Sequence, residues 1–232
     1  MPTDTLSTSA PYQIKRDPYS SHSVILSKLA SAKRGRLLDV GAAQGEMAEL
    51  FVSLGYEVTA LEGDPHLAEL ARQRCPNVMV ADLDRAIPEL QGPFDVAVFA
   101  DVLEHVREPL AVLRHIAKEV SFDGIIIISV PNVAHLWMRL RLLFGHFEYM
   151  DRGILDRTHL KFFTLFSFQE FLRNADLDVL ELIATPVPLP LVIPERYHGP
   201  LLNGLHALSA RLANTWKTML AYQFIAVTRR LP

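Results

Sequence analysis

Residues 37–51 read LLDVGAAQGEMAELF. A short apolar run ends at Val40, a loop of small residues follows, and apolar residues then recur at helical spacing. This is a strand, a tight turn and a helix. Gly41 and Gly45 carry no Cβ, so the backbone between them can turn sharply and approach a ligand closely. The helix start offers unpaired N–H groups and the positive end of a dipole. Asp39, at the end of the strand, is placed to accept hydrogen bonds from a cationic amino group.

The same alternation extends in both directions. Apolar spacing predicts a helix over 20–32. Strands are expected at 36–40, 56–61, 77–80, 94–100 and 124–130, with helices over 44–54, 65–74 and 108–120. The helix over 44–54 is closed by Gly55, and the one from 65 opens on Pro65. The run GIIIISV at 124–130 is β-branched almost throughout, as in a strand buried on both faces. Beyond it come a helix over 167–175 with Ser167 as N-cap, a strand over 179–184, an amphipathic helix over 201–212 and a last strand over 220–227. Strands that alternate with helices and are uniformly apolar imply an α/β fold, a doubly wound and mostly parallel sheet.

The chain has 232 residues, half of them hydrophobic and 21% charged. That suits one globular domain over 19–232 behind a flexible lead-in at 1–18. Two segments break the rhythm, 131–165 and 185–218, and these are the expected substrate lids. Pro186, Pro188, Pro190 and Pro194 argue against regular structure at the start of the second. A net charge of −3 gives no global attraction to nucleic acid. With one cysteine, Cys75, no intramolecular disulfide can form. The N-terminus is polar and broken by proline, unlike a signal peptide, and no run of about 20 apolar residues suits a membrane span. The expected location is cytoplasmic.

Two nucleotide-binding loops are excluded. A dinucleotide fingerprint starting at Gly41 needs glycine at 43 and 46, where Ala43 and Glu46 stand. No Gly-Lys-Ser/Thr follows, so this is not a P-loop. A nicotinamide-dependent dehydrogenase is thereby disfavoured, and no Tyr-x-x-x-Lys pair of the short-chain reductase type is found. A noncatalytic module on the same sheet is the other alternative. Glu62 lies about 20 residues past the loop, where a carboxylate reaches the hydroxyls of a ribose. Asp82 follows the next strand and is placed to accept from an adenine amino group.

With DVGAAQG, LEGD, the Ala81-Asp82 pair and FADVLEHV in this order, residues 35–184 resemble the class I S-adenosylmethionine-dependent methyltransferases. The resemblance implies a seven-stranded Rossmann-like sheet with S-adenosylmethionine as cofactor. It also implies a binding set of Asp39, Gly41, Ala42, Gly45, Glu62, Gly63, Asp82, Leu83, Ala100 and Asp101. In that set Gly41 and Gly45 shape the methionine pocket, Glu62 holds the ribose, and Ala100 and Asp101 line the floor.

In Asp101-Val-Leu-Glu104-His105, a helix starting at 101 would put both acids and the histidine on one face. Such a set suits a hard divalent cation, magnesium or manganese. The segment resembles the E-x-x-E-H metal site of ubiquinone-pathway and small-RNA O-methyltransferases, which implies His159 as a further ligand. The alternative reading is a capping box of Asp101 and Glu104 that closes a helix start. His159 has a second role open to it. As a neutral imidazole it can take the proton of an acceptor hydroxyl during methyl transfer, with His105 the second candidate base.

Between 137 and 163, Arg139, Arg141, Arg152, Arg157 and Lys161 interleave with Trp137, Phe144, Phe147, Tyr149, Phe162 and Phe163. One reading is an acceptor pocket with a nearby anion, and the other is an amphipathic helix packed on the sheet. DRGILDRTHLKFFT resembles methyltransferases of cell-surface polysaccharide assembly, which implies a saccharide hydroxyl among small-molecule acceptors, with N- or C-methylation of another small metabolite as the alternative. PVPLPLVIPERYHGPLL is read either as a proline-rich lid or as a surface that leans on a membrane.

Overall fold

The computed structural model describes residues 17–231. Residues 1–16 of the expected lead-in lie outside the described residues. Asp17 is tied down: its Oδ2 lies 2.8 Å from Nε2 of the buried His206.

Seven strands form one sheet in the order β3-β2-β1-β4-β5-β7-β6. They are β1 (Arg36–Val40), β2 (Glu57–Glu62), β3 (Asn77–Val80), β4 (Phe94–Ala100), β5 (Val120–Pro131), β6 (Leu177–Thr185) and β7 (Gln223–Arg230). The first five run parallel, and β7 is inserted antiparallel to both β5 and β6. The doubly wound, mostly parallel sheet is therefore as expected. Helices α1 (Ser21–Ser31), α2 (Glu46–Ser53), α3 (Pro65–Ala71), α4 (Pro109–Lys118) and α6 (Leu165–Asn174) join or flank the strands.

Two apolar clusters sandwich the sheet. One holds Phe99, Leu113, Phe168 and Phe224; the other holds Ile25, Phe51, Val98 and Ile225. Successive residues of β4 and β7 thus feed opposite faces, which explains why their sequences are apolar without alternation.

Local expectations were corrected in several places. Thr164, not Ser167, caps α6. Ser167 sits at the third helical position, where the two residues close a reciprocal capping box. The helix over 108–120 stops at Lys118 because Val120 already pairs with Phe94 in the sheet. Leu220 belongs to a short helix, α9 (Lys217–Leu220), and the last strand starts at Gln223.

The two expected irregular segments contain helices. The first holds α5 (Leu136–Leu143). The second holds α7 (Leu189–Val192), a 3-10 turn at Glu195–Tyr197 and α8 (Pro200–Thr215). Proline did not forbid these because Pro190 and Pro200 occupy first-turn positions, where a helix has no use for the missing N–H.

The strand register sets where function sits. Val40, Glu62 and Ala100 end their strands on one edge of the sheet. Pro131 at the end of β5 pairs with Gln223 at the start of β7, which also pairs with Thr185 at the end of β6. The connections that follow β1, β2, β4, β5 and β6 all leave from this edge. In open α/β sheets ligands bind there.

Candidate functional site

The loop after β1 is held by backbone bonds. The N–H groups of Gly41 and Ala42 both donate to Leu61 O, at 2.7 and 3.0 Å. Gly41 has φ +72° and Gly45 φ +79°, left-handed values that favour glycine. A Cβ on Gly41 would come 2.6 Å from Val102 Cγ2, and one on Gly45 would come 2.9 Å from Ala71 Cα. The glycines are thus required by close packing on protein as well as by the turn.

A narrow cleft opens at this loop, lined by His22, Asp39, Gly41, Ala42, Met47 and Ala100 among others. Asp39 is 2% exposed. Its Oδ2 has no hydrogen-bond partner among the described residues. Burial, and then the charge of Glu62, push its carboxyl up to about 7. A buried carboxylate with an open acceptor atom is a site made for a cation.

Glu62 reaches from the end of β2 to the loop and accepts from Ala43 N at 2.7 Å and Asp64 N at 2.8 Å. Each carboxylate oxygen retains a second lone pair, so the side chain can still accept from two hydroxyls. Gly63 beside it is exposed, and a Cβ there would make only ordinary contact with Ala81 O. Asp82 is also exposed; it accepts from Asp84 N at 3.0 Å and pairs with Arg85 at 3.1 Å. Leu83 packs at the rim of the first apolar cluster. Of the expected binding set, Asp39, Gly41, Ala42 and Ala100 line the cleft, whereas Gly45, Glu62, Gly63, Asp82, Leu83 and Asp101 are not among its lining residues.

The expected helix at 101 does not form. Asp101 has φ +58°, and a 3-10 turn spans Leu103–His105. The Asp101 carboxylate is drawn back over the strand ends. Ser129 Oγ donates to it at 2.5 Å and Gln223 Nε2 at 2.8 Å, with Ser21 Oγ at 3.4 Å. The capping-box reading is thus overturned, and Asp101 drops out of the expected metal set. It ties the end of β4 to β5, β7 and α1.

Glu104, His105 and His159 do converge, with their ligating atoms within 4.8 Å of one another. The turn and the later segment are tied by the Glu104 carbonyl, which accepts from Leu160 N and Lys161 N at 2.8 and 3.0 Å. His159 is 9% exposed, and its Nδ1 lies 3.0 Å from Ile154 O. That carbonyl calls for a proton on Nδ1 and leaves the lone pair on Nε2. Burial holds the His159 imidazole below its ordinary value, so it is neutral near pH 7. His105 Nδ1 faces Thr158 O and Oγ1 at 3.2 and 3.0 Å, and the two imidazole rings meet edge to face at 4.8 Å.

Sequence reasoning missed His22, which α1 brings into the cleft, and the clamp of Ser129 and Gln223 on Asp101. Ser129 left one signal, a polar residue inside the apolar run of β5. His22 left none, because its neighbours in the cleft are far away along the chain.

A family model described as a methyltransferase domain matches residues 15–182. This chain belongs to that family. The strand order, the glycine loop and the acidic strand ends are those of the class I S-adenosylmethionine-dependent methyltransferase fold. A relative of this family member is the ubiquinone biosynthesis O-methyltransferase of Xanthomonas campestris pv. campestris (strain B100). The two are 28% identical over 148 residues, which cover 61% of this chain and 58% of that one. The chain thus spans less than two thirds of the length of the curated relatives it matches. A SAM-dependent methyltransferase from Thermotoga maritima superposes with a TM-score of 0.63 at 16% identity, over 93% of this chain and 90% of that one. The 1,6-didemethyltoxoflavin-N1-methyltransferase of Burkholderia thailandensis, solved with S-adenosylhomocysteine, gives 0.58 at 19% identity, over 92% and 78%. At such identities the likeness lies in the fold.

Proposed function

We propose that this protein transfers a methyl group from S-adenosylmethionine to a hydroxyl of a small molecule or saccharide. The observation that carries this reading is the pairing of two unlike groups at one sheet edge. The buried Asp39 carboxylate with its open Oδ2 suits an ammonium, and the neutral His159 imidazole suits an acidic hydroxyl. The O-methyltransferase names of the curated relatives support oxygen as the attacked atom.

The cofactor, when bound, supplies an activated methyl on sulfur, so the chain need only position, desolvate and deprotonate. Asp39 anchors the amino group, and Glu62 accepts from the ribose hydroxyls. Asp101 is locked by Ser129 and Gln223, and Ala100 lines the cleft. His159 Nε2 takes the acceptor proton as the oxygen attacks, and the Ile154 carbonyl stabilises the imidazolium that results.

A second reading rests on the convergence of Glu104, His105 and His159. One carboxylate and two imidazoles fit a transition ion, and they fit magnesium poorly because magnesium prefers oxygen donors. Metal ligation and general-base action at His159 exclude each other.

Transfer of label from S-[methyl-3H]adenosylmethionine to activated sugars and envelope extracts tests the reaction. The His159→Gln variant should lose transfer at least about 100-fold with cofactor affinity unchanged. The wild-type rate should fall as pH drops through a value below the ordinary imidazole range, where His159 becomes charged. If EDTA abolishes activity and manganese or zinc restores it, the metal reading replaces the base.

A further inference from the structure

The insertion between β6 and β7 leaves the catalytic edge of the sheet and returns to it, since Thr185 and Gln223 are paired there. Within it, α8 is apolar on two sides. Leu202, His206, Ala210 and Ala213 face inward and are buried. Leu201, Leu205, Leu208 and Leu212 recur at helical spacing as a second stripe, and all four are exposed, Leu201 at 78%. Exposed Leu191 and Val192 of α7, which packs beside α8, and Trp216 at its far end add to the same insertion. From 199 to 222 the chain carries Arg211 and Lys217 and no acidic residue, against a net charge of −3 for the whole. An exposed leucine stripe with a basic flank and an aromatic end is what an anionic lipid surface takes up. No helix among the described residues is long and apolar enough to cross a membrane.

We propose that α7 and α8 form a docking surface for an anionic bilayer, and that this surface brings the catalytic edge to acceptors carrying an apolar tail. The choice of acceptor rests on the methyl-transfer reading, whereas the docking does not. A second copy of the chain meeting this one through the same patch would also cover the leucines, but from 199 to 222 it offers no carboxylate to Arg211 and Lys217. The basic flank therefore selects the lipid.

Co-sedimentation of the full chain with vesicles of phosphatidylcholine, with and without phosphatidylglycerol, is the test. Wild type should bind the mixed vesicles more tightly, and added salt should weaken that binding. The doubly substituted Leu205→Gln, Leu208→Gln protein, changed at exposed positions, should bind at least about tenfold more weakly. Its affinity for S-adenosylhomocysteine should be unchanged, which shows it to be folded. Arg211→Glu should remove the preference for phosphatidylglycerol. Equal vesicle binding by wild type and the leucine variant overturns the proposal, and so does wild type that ignores both vesicles. A wild-type dimer that the leucine variant splits, seen by light scattering without lipid, assigns the stripe to a second copy. If neither adenosyl ligand binds wild type while vesicles still do, methyl transfer fails and docking stands.

Discussion

Asp39 shows how one residue can hold a site in readiness. Its carboxyl is raised from 3.8 to about 7, so the folded protein retains a proton there that the unfolded chain has lost. The sign follows from linkage: this group favours the folded state below pH 4 and loses that advantage as pH rises to about 7. A bound ammonium reverses the preference, because it stabilises the charged carboxylate. Binding of S-adenosylmethionine at pH 7 should therefore release about half a proton from Asp39. Calorimetry in buffers of different ionisation enthalpy measures this, and Asp39→Asn should abolish it. Release that is equal in both proteins would move the ammonium elsewhere. Asp101 makes a related point. Its left-handed φ is held by Ser129 and Gln223, so backbone strain is offset by hydrogen bonds from two other strands.

At the scale of elements, the capping of α6 decides how 158–163 is presented. Thr164 and Ser167 satisfy each other's backbone N–H groups at 2.9 and 3.2 Å, which fixes the helix start just after Phe163. Phe163 is buried against Phe168 and Phe171, and its carbonyl accepts from Val133 N. Loss of the cap by Thr164→Ala should cost about 1 kcal/mol, read as a lowered denaturant midpoint with an unchanged slope. Glu104, His105 and His159 should stay together, because the Glu104 carbonyl bonds to Leu160 and Lys161 are untouched. A stability change near zero would show that the box is not formed in solution. The loop glycines act at the same scale. Gly45 lets α2 start against the backbone of α3, so the cofactor loop and its two helices are packed as one unit.

For the whole molecule, the cleft at the glycine loop joins parts that are distant in sequence: α1, the loop after β1 and the end of β4. A ligand that bridges them stabilises only the folded chain. S-adenosylhomocysteine at about 100 times its dissociation constant should add about 2.7 kcal/mol and raise the melting temperature by about 5–10 °C. NAD should leave it unchanged, since the loop lacks the glycines for a pyrophosphate. A scanning fluorimetry trace that shifts with NAD alone would contradict the assignment.

The strands and the glycine loop were legible in the sequence because their signals are local. Apolar run length marks β1, β3 and β4 to the residue, and glycine marks a turn that only a residue without Cβ makes easily. Asp39, Gly41, Gly45 and Glu62 could be placed on the same grounds, from their distance to strand ends. Only the tertiary structure decided what depends on pairing across the sheet. It put His22 in the cleft, tied Asp101 to Ser129 and Gln223, and joined His105 to His159 through a carbonyl more than fifty residues from its partners. It also left a face of α8 bare, which composition cannot show, because a leucine reads the same whether it faces protein or solvent. Local sequence sets backbone preference, and long-range packing chooses which side chains meet.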